Sequence, residues 1–200
     1  LILKTHNNNF ENAIVLTGGI ATGKSTVAEY LIKNSFNIID ADKISHIILD
    51  NNYNKIKDLF GDEYINGLKV NRKKLGSLIF NNLEAKLALE ELLHPLIKNE
   101  IILQSKEYEL ENKIYFIDIP LFFEKSNYKI KRTLLVYTTE SMQLDRLMKR
   151  DMCDKDTALS RINNQISIEE KRKLSTYIID NTKDLVSLQN EIDLFLKEIL

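Results

Sequence analysis

An apolar run that breaks into glycines, then into a lysine and two hydroxyls, leaves a chain few ways to fold. Here the run is Ile14-Val15-Leu16-Thr17-Gly18-Gly19-Ile20-Ala21-Thr22-Gly23-Lys24-Ser25-Thr26, and Gly18 to Ser25 matches G-x-x-x-x-G-K-[ST]. Ile14 to Leu16 read as a buried strand, and Val27, Ala28, Tyr30 and Leu31 supply the apolar face of a following helix. Strand, loop and helix in that order form the setting the motif needs. Glycines let backbone N–H groups turn inward around phosphate oxygens, and a helix starting near Lys24 adds the positive end of its dipole. The expected phosphate contacts are therefore Gly19, Ile20, Ala21, Thr22, Gly23, Lys24, Ser25 and Thr26. Lys24 reaches toward the β- and γ-phosphates and the Ser25 hydroxyl toward Mg²⁺. A glycine turn that merely carries a lysine is the bland alternative. At background residue frequencies such a match arises by chance in roughly one chain in a hundred of this length.

Charge and cysteine content narrow the class. With 28 Lys+Arg against 29 Asp+Glu the net charge is -1, so no global field marks nucleic acid or an anionic membrane as partner. A single cysteine, Cys153, excludes an internal disulfide and fits a reducing cytoplasm; it is assigned no chemistry. No stretch approaches the roughly 18 apolar residues of a membrane span, and Leu1 to Asn12 carries no signal-peptide pattern. Of six glycines, Gly18, Gly19 and Gly23 lie in the opening loop, so conformational freedom is concentrated where phosphate would bind.

Further strands read at Phe36 to Asp42, Lys113 to Asp118, Thr133 to Tyr137 and Tyr177 to Asp180. The two in the middle are too continuously apolar for a one-sided sheet. From Lys43 to about Leu110 the pattern is largely helical, with segments at Lys55–Phe60, Arg72–Phe80 and Glu84–Leu93, Gly61 and Asn66-Gly67 as breaks between them, and Pro95 starting a new helix striped by Ile97, Ile101 and Ile102. Some seventy residues exceed what a crossover needs, which points to an inserted substrate-binding region. Arginine-rich helices from Glu140 to about Ser175 suggest a mobile lid. Leu185, Leu188, Ile192, Phe195 and Ile199 stripe a terminal helix. The expectation is one three-layer α/β domain with a parallel sheet: core at 13–42, 113–138 and 176–200, helical insertion at 43–112 and lid at 139–175.

Asp40 and Asp42 stand two apart at a strand end, where alternation would point both carboxylates the same way. Beside a bound nucleotide one would join the magnesium shell and the other accept a proton from an acceptor hydroxyl. A solvated strand end, with one Asp capping the next helix, is the structural alternative. Asp118 ends an apolar strand, where a metal or substrate contact competes with a turn role at Asp118-Ile119-Pro120. Arg146 and Arg150 share a helical face, with Arg161 beyond, and suit the charge spread of phosphoryl transfer; Asp145 and Asp151 are available as plain surface partners. Arg72 meets an anionic substrate or is a surface charge. His94, without a second ligand at metal spacing, reads as a hydrogen-bonded residue.

Together these pieces resemble the dephospho-CoA kinase family over residues 14 to about 181. The matching runs are Leu16 to Ile20 leading into Gly23 to Thr26, Ile39-Asp40-Ala41-Asp42, Phe60-Gly61 with Asn66-Gly67 and Arg72, and Leu93-His94-Pro95. They continue through Asp118-Ile119-Pro120-Leu121-Phe122-Phe123-Glu124, Gln143 with Arg146 and Arg150-Asp151, Arg161 with Gln165, and Ile179-Asp180-Asn181. The resemblance implies a kinase fold with a five-stranded parallel core, a helical substrate-binding region and a lid. It implies transfer of the ATP γ-phosphate to the ribose 3′-hydroxyl of dephospho-CoA. Carried over, Asp42 is the general base, Lys24 and Ser25 serve phosphate and Mg²⁺, and Arg150 is the lid arginine, which leaves Asp40 as the carboxylate of the pair expected in the magnesium shell. Arg72, His94, Asp118 and Leu121 fall near the acceptor, and Arg146 near the nucleotide. Two departures stand out: Ala21-Thr22 where Gly-Ser is usual, and Ser175-Thr176 where Ala-Asp is usual. The alternatives are another small-molecule kinase or a GTPase-like switch; Asp58 to Gly61 matches D-x-x-G, but the guanine signature N-K-x-D is absent.

Overall fold

The computed structural model describes residues 10–125 and 128–200. Most of the Leu1–Asn12 stretch read for a signal peptide lies outside them. The chain divides into two compact units, one running to Ile39 and resuming at Glu107, the other spanning Asp40–Lys106.

The first unit is built on a five-stranded sheet of order β2-β5-β1-β6-β7, with β1 Ala13–Gly18, β2 Ile38–Asp40, β5 Tyr115–Asp118, β6 Arg132–Tyr137 and β7 Tyr177–Asp180. β1 lies parallel to both β5 and β6, in registers that set Leu16 beside Asp118 and Gly18 beside Val136. Side-chain alternation explains why both faces are covered. Ile14, Leu16, Leu134, Val136 and Ile179 pack with Val27 and Leu31 of α1 (Lys24–Lys33) and with Leu188, Ile192, Phe195 and Leu196 of α10 (Leu185–Ile199). Leu135 and Tyr137, one residue out of phase, pack with Ile168 at the start of α9 (Ile168–Leu174). In α10 the buried stripe omits Leu185, which is 59% exposed beside its cap Asp184, so one member of the expected stripe faces water.

Between β6 and β7 run α7 (Glu140–Asp151), α8 (Lys155–Asn163) and α9, each started by a capping side chain: Thr139, Asp154 and Ser167. At the β7 entry Thr176 stands where the family pattern has Asp. Its N–H donates to Thr133 Oγ1 at 2.9 Å and its hydroxyl accepts from the Thr133 N–H at 3.2 Å, so it ties β7 to β6.

The second unit has its own core of Leu49, Ile56, Val70, Leu75, Leu89 and Leu93. It comprises α2 (Ala41–Asn51), α3 (Tyr53–Phe60), α4 (Arg72–Asn81), most of α5 (Leu83–Leu110) and a short antiparallel hairpin of β3 (Ile65–Asn66) and β4 (Lys69–Val70). That hairpin corrects the expectation of a largely helical region broken at Asn66-Gly67: Asn66 pairs with Lys69 across a two-residue turn of Gly67 and Leu68, and Gly67 takes the positive φ of 63° that the turn requires.

Two further expectations give way. The strand expected from Phe36 to Asp42 is only Ile38–Asp40, and Asp42 lies in the first turn of α2, so strand alternation does not align the two carboxylates. Pro95 does not start a helix. It sits inside α5, continuous from Leu83 to Leu110. An internal proline costs about 3 kcal/mol; here the flanking turns are held by burial of Leu89, Leu93 and Ile101. Among the described residues no helix is long and apolar enough to cross a membrane.

Candidate active site

β1 delivers the chain into the glycine loop at Gly18, and α1 receives it at Lys24. Gly23 bridges the two at φ 92°, and its carbonyl accepts from the N–H groups of Thr26 and Val27. Gly18 to Ser25, with Pro120, Arg146, Arg150 and Gln165, line a cleft of about 450 Å³. The expected contacts from Gly19 to Ser25 therefore share one concavity with both arginines of α7. Thr26 is exposed in the first turn of α1, outside the cleft lining. Ala21, in the position where glycine is usual, has a left-handed φ of 60°, a conformation that costs a residue with a Cβ about 1–2 kcal/mol.

Lys24 Nζ donates to both carboxylate oxygens of Asp118 at 2.5 Å, with the two side chains 17% and 14% exposed. The β1–β5 register produces this pair, since it sets the strand-ending Asp118 level with Leu16. Asp118 thus orients the loop lysine. Next along the chain, Thr17 Oγ1 donates to the Pro120 carbonyl at 3.1 Å, and Leu121 lies 38% exposed in the turn before α6 (Phe122–Lys125).

Several side chains grip the loop from outside it. Gln143 Nε2 donates to Ile20 O at 2.7 Å, and Gln165 Oε1 accepts from the Ile20 N–H at 3.0 Å. Asn181 Nδ2 donates to Thr22 O at 2.7 Å. Lys171, fully buried, donates to Gly18 O at 3.3 Å and pairs with Glu124 Oε1 at 2.7 Å. Two of the three helices assigned to a lid, α7 and α9, are thereby hydrogen-bonded to the phosphate loop. Sequence reading had Gln143, Gln165 and Asn181 only as parts of a resemblance, and missed Lys171. The available signal was polar side chains at helix positions facing inward, such as Gln143 four residues before the buried Leu147.

The arginines are held differently. Arg146 donates to Asn181 O at 3.0 Å, while Arg150 pairs with Asp151 at 2.7 Å, and Arg161 pairs with the same carboxylate. The hydrogen bonds from Arg150 and then Arg161 hold Asp151 down at about 2. The plain surface pairing weighed for Arg150 is therefore present, although Arg150 also lines the cleft.

The other expected residues belong to the second unit. Asp40 caps α2, accepting from the Lys43 N–H at 2.8 Å, which is the structural role weighed for it; Asp42 is exposed in the first turn of that helix. Arg72 pairs with Asp50 at 2.7 Å. Burial raises the Asp50 carboxyl, but Arg72 and the Val70 N–H outweigh it and leave it below the ordinary value. His94 is half-buried within α5.

Comparison with known proteins bears on this geometry. A family model described as dephospho-CoA kinase matches residues 12–187. The dephospho-CoA kinase of Sulfurimonas denitrificans is 48% identical over 190 residues, covering 95% of each chain. That of Helicobacter pylori is 42% identical over 193 residues, covering 95% of this chain and 98% of the other. The structure of the Campylobacter jejuni dephospho-CoA kinase superposes with a TM-score of 0.75 at 39% identity, covering 94% of this chain and 96% of that one. With a glycine loop, its lysine and two arginines already gathered in one cleft, these likenesses show that the chain belongs to the dephospho-CoA kinase family.

Proposed function

We propose that this chain transfers the γ-phosphoryl group of ATP to the ribose 3′-hydroxyl of dephospho-CoA, the last step in making coenzyme A. The observation that carries the donor half is the single cleft in which the glycine loop, Lys24 and Arg150 meet. Family membership carries the acceptor.

In this reading the Asp42 carboxylate accepts the proton of the 3′-hydroxyl as that oxygen attacks the γ-phosphorus, and the bond to the β,γ-bridging oxygen breaks to release ADP. An exposed carboxylate in the first turn of α2, in the Asp-Ala-Asp pattern of the family, supports the assignment. Lys24, aimed by Asp118, neutralises the β- and γ-phosphates. Arg150 leaves Asp151 to stabilise charge on the equatorial oxygens, and Arg146 holds the nucleotide. Arg72, His94, Asp118 and Leu121 are assigned to the acceptor side, where Arg72 exchanges Asp50 for an anionic group.

Mg²⁺ fits the residues present. Among the described residues no three His, Cys, Asp or Glu side chains cluster as a metal cage, and Mg²⁺ characteristically takes only one or two protein ligands beside phosphate oxygens and water. The Ser25 hydroxyl in the first turn of α1 and the Asp40 carboxylate are the proposed ligands. Bound there, the ion would neutralise charge building on the β,γ-bridge. α7 and α9 are hydrogen-bonded to the loop, and α8 packs Ala158 and Ile162 on Leu147 of α7 beside Ile20 and Ala21, so all three helices assigned to the lid lie against the loop and the proposed movement is that of the Arg150 side chain. A lone cysteine suits a reducing cytoplasm.

ADP release measured against a panel of hydroxyl acceptors tests the reading. Turnover that requires dephospho-CoA and Mg²⁺ is expected; activity confined to a nucleoside monophosphate, shikimate or a sugar would reject it.

A further inference from the structure

The phosphate loop is shaped by amide side chains from elements that sequence motifs leave out. In a planar trans peptide the C=O and the following N–H point in opposite directions. Gln143 holds Ile20 O, so it sets the direction of the Ala21 N–H; Asn181 holds Thr22 O, so it sets that of the Gly23 N–H. Gln165 takes the Ile20 N–H, which removes it from the donors available to phosphate. Both clamps are deeply buried, Gln143 at 2% and Asn181 at 8% exposure, where an amide persists only with its hydrogen bonds satisfied.

A second, independent observation points to the same pair. A Cβ on Gly19 would fall on Gln143 Nε2, and one on Gly23 would fall on Asn181 Nδ2. Two of the loop's three glycines thus lack side chains where the clamping amides need the space. The Gly19 requirement comes from this contact, whereas Gly23 is bound also by its positive φ.

We infer that Gln143 and Asn181 are positioning residues for the phosphoryl donor. They hold the loop in its anion-binding form by gripping Ile20 O and Thr22 O, and so govern affinity for the triphosphate and not the proton transfer. Asn181 follows β7 and Gln143 lies on α7, so the donor site is completed by the far end of the sheet. This rests only on the donor half of the proposed function, because binding of a triphosphate needs no acceptor.

The test is calorimetric titration of MgATP into the full chain, beside steady-state kinetics. Gln143→Met and Asn181→Ala should each weaken MgATP binding and raise the KM for ATP by about tenfold, the loss expected for one buried hydrogen bond. The KM for the acceptor should stay unchanged. Gly19→Ala should weaken binding strongly in the natural chain but little in a Gln143→Ala background, where the space has been vacated. If Gln143→Met does not fold, Asn181→Ala, which frees only Thr22 O, carries the test alone and should show the same selective rise in KM for ATP. Folded variants with unchanged MgATP affinity, equal changes in both KM values, or additive effects of Gly19→Ala and Gln143→Ala would overturn the inference. Loss of acceptor activity with normal MgATP binding would instead count against the proposed function.

Discussion

The phosphate loop and the carboxylates that follow β2 are built on contrary plans. Alternate loop carbonyls, at Gly18, Ile20 and Thr22, are each held by a side chain from elsewhere in the first unit, and the loop lysine is aimed by Asp118. Asp42, by contrast, is exposed, and Asp40 is held by the Lys43 N–H of its own helix. The difference matches two kinds of chemistry. Phosphate recognition needs many donors in fixed directions, so preorganisation is worth the burial it requires. A proton acceptor needs only one oxygen and access to a hydroxyl.

The most direct way to break this contrast is Asp42→Asn. Turnover should fall by about 10²- to 10⁴-fold while MgATP affinity stays within roughly twofold, as steady-state ADP release and calorimetry would read. Unchanged turnover would remove Asp42 as base. Next comes the support beneath the loop. Lys171→Met leaves Glu124 buried without its cation, and Glu124 Oε2 already has no hydrogen-bond partner, so urea unfolding should show a loss of about 3–5 kcal/mol. Adding Glu124→Gln should recover part of it; no recovery would mean that Lys171 matters for packing alone.

Arg150→Ala sharpens the contrast within the cleft itself, since this cation is exposed and shares Asp151 with Arg161. A kcat lower by about 10²- to 10³-fold with little change in KM is expected, with Arg150→Lys only partly active because a lysine lacks the planar fork. The smallest effect concerns pH. Asp151 is depressed by Arg150 and Arg161 to about 2, so its contribution is complete above the ordinary carboxylate value of about 4 and fades as pH falls through its folded value. NMR titration of Asp151 should find no step between neutral pH and that range; a midpoint near 4 would show that the arginines do not hold it in solution.

How far the sequence was legible follows the same division. The strand, loop and first helix were readable because the motif binds residue type to backbone direction, and β7 was readable because Tyr177 to Asp180 is an isolated apolar run. A parallel sheet covered on both faces followed from strands too apolar for a one-sided sheet, and the number of strands from the family resemblance, whereas the strand order came only with the structure. What was not legible depends on tertiary contact. Pro95 marks a helix start by local propensity, yet burial on both sides carries α5 through it. Asn66-Gly67 looked like a break between helices, because two-residue strands leave almost no periodicity. Asp42 was placed on a strand because the cap at Asp40 shortens β2 by two residues. Gln143, Lys171 and Asn181 act on backbone atoms far along the chain, and no spacing rule connects residue 143 with Ile20.

The central claim, that a tightly gripped donor loop serves a sugar hydroxyl acceptor, is tested most directly by locating the new phosphate. The chain should be incubated with ATP, Mg²⁺ and dephospho-CoA, and the product's phosphate position assigned by phosphorus–proton correlation NMR. A single monoester on the ribose 3′-oxygen, formed one for one with ADP, is the expected result. A phosphate at any other position, or ADP formed without a phosphorylated acceptor, would contradict it.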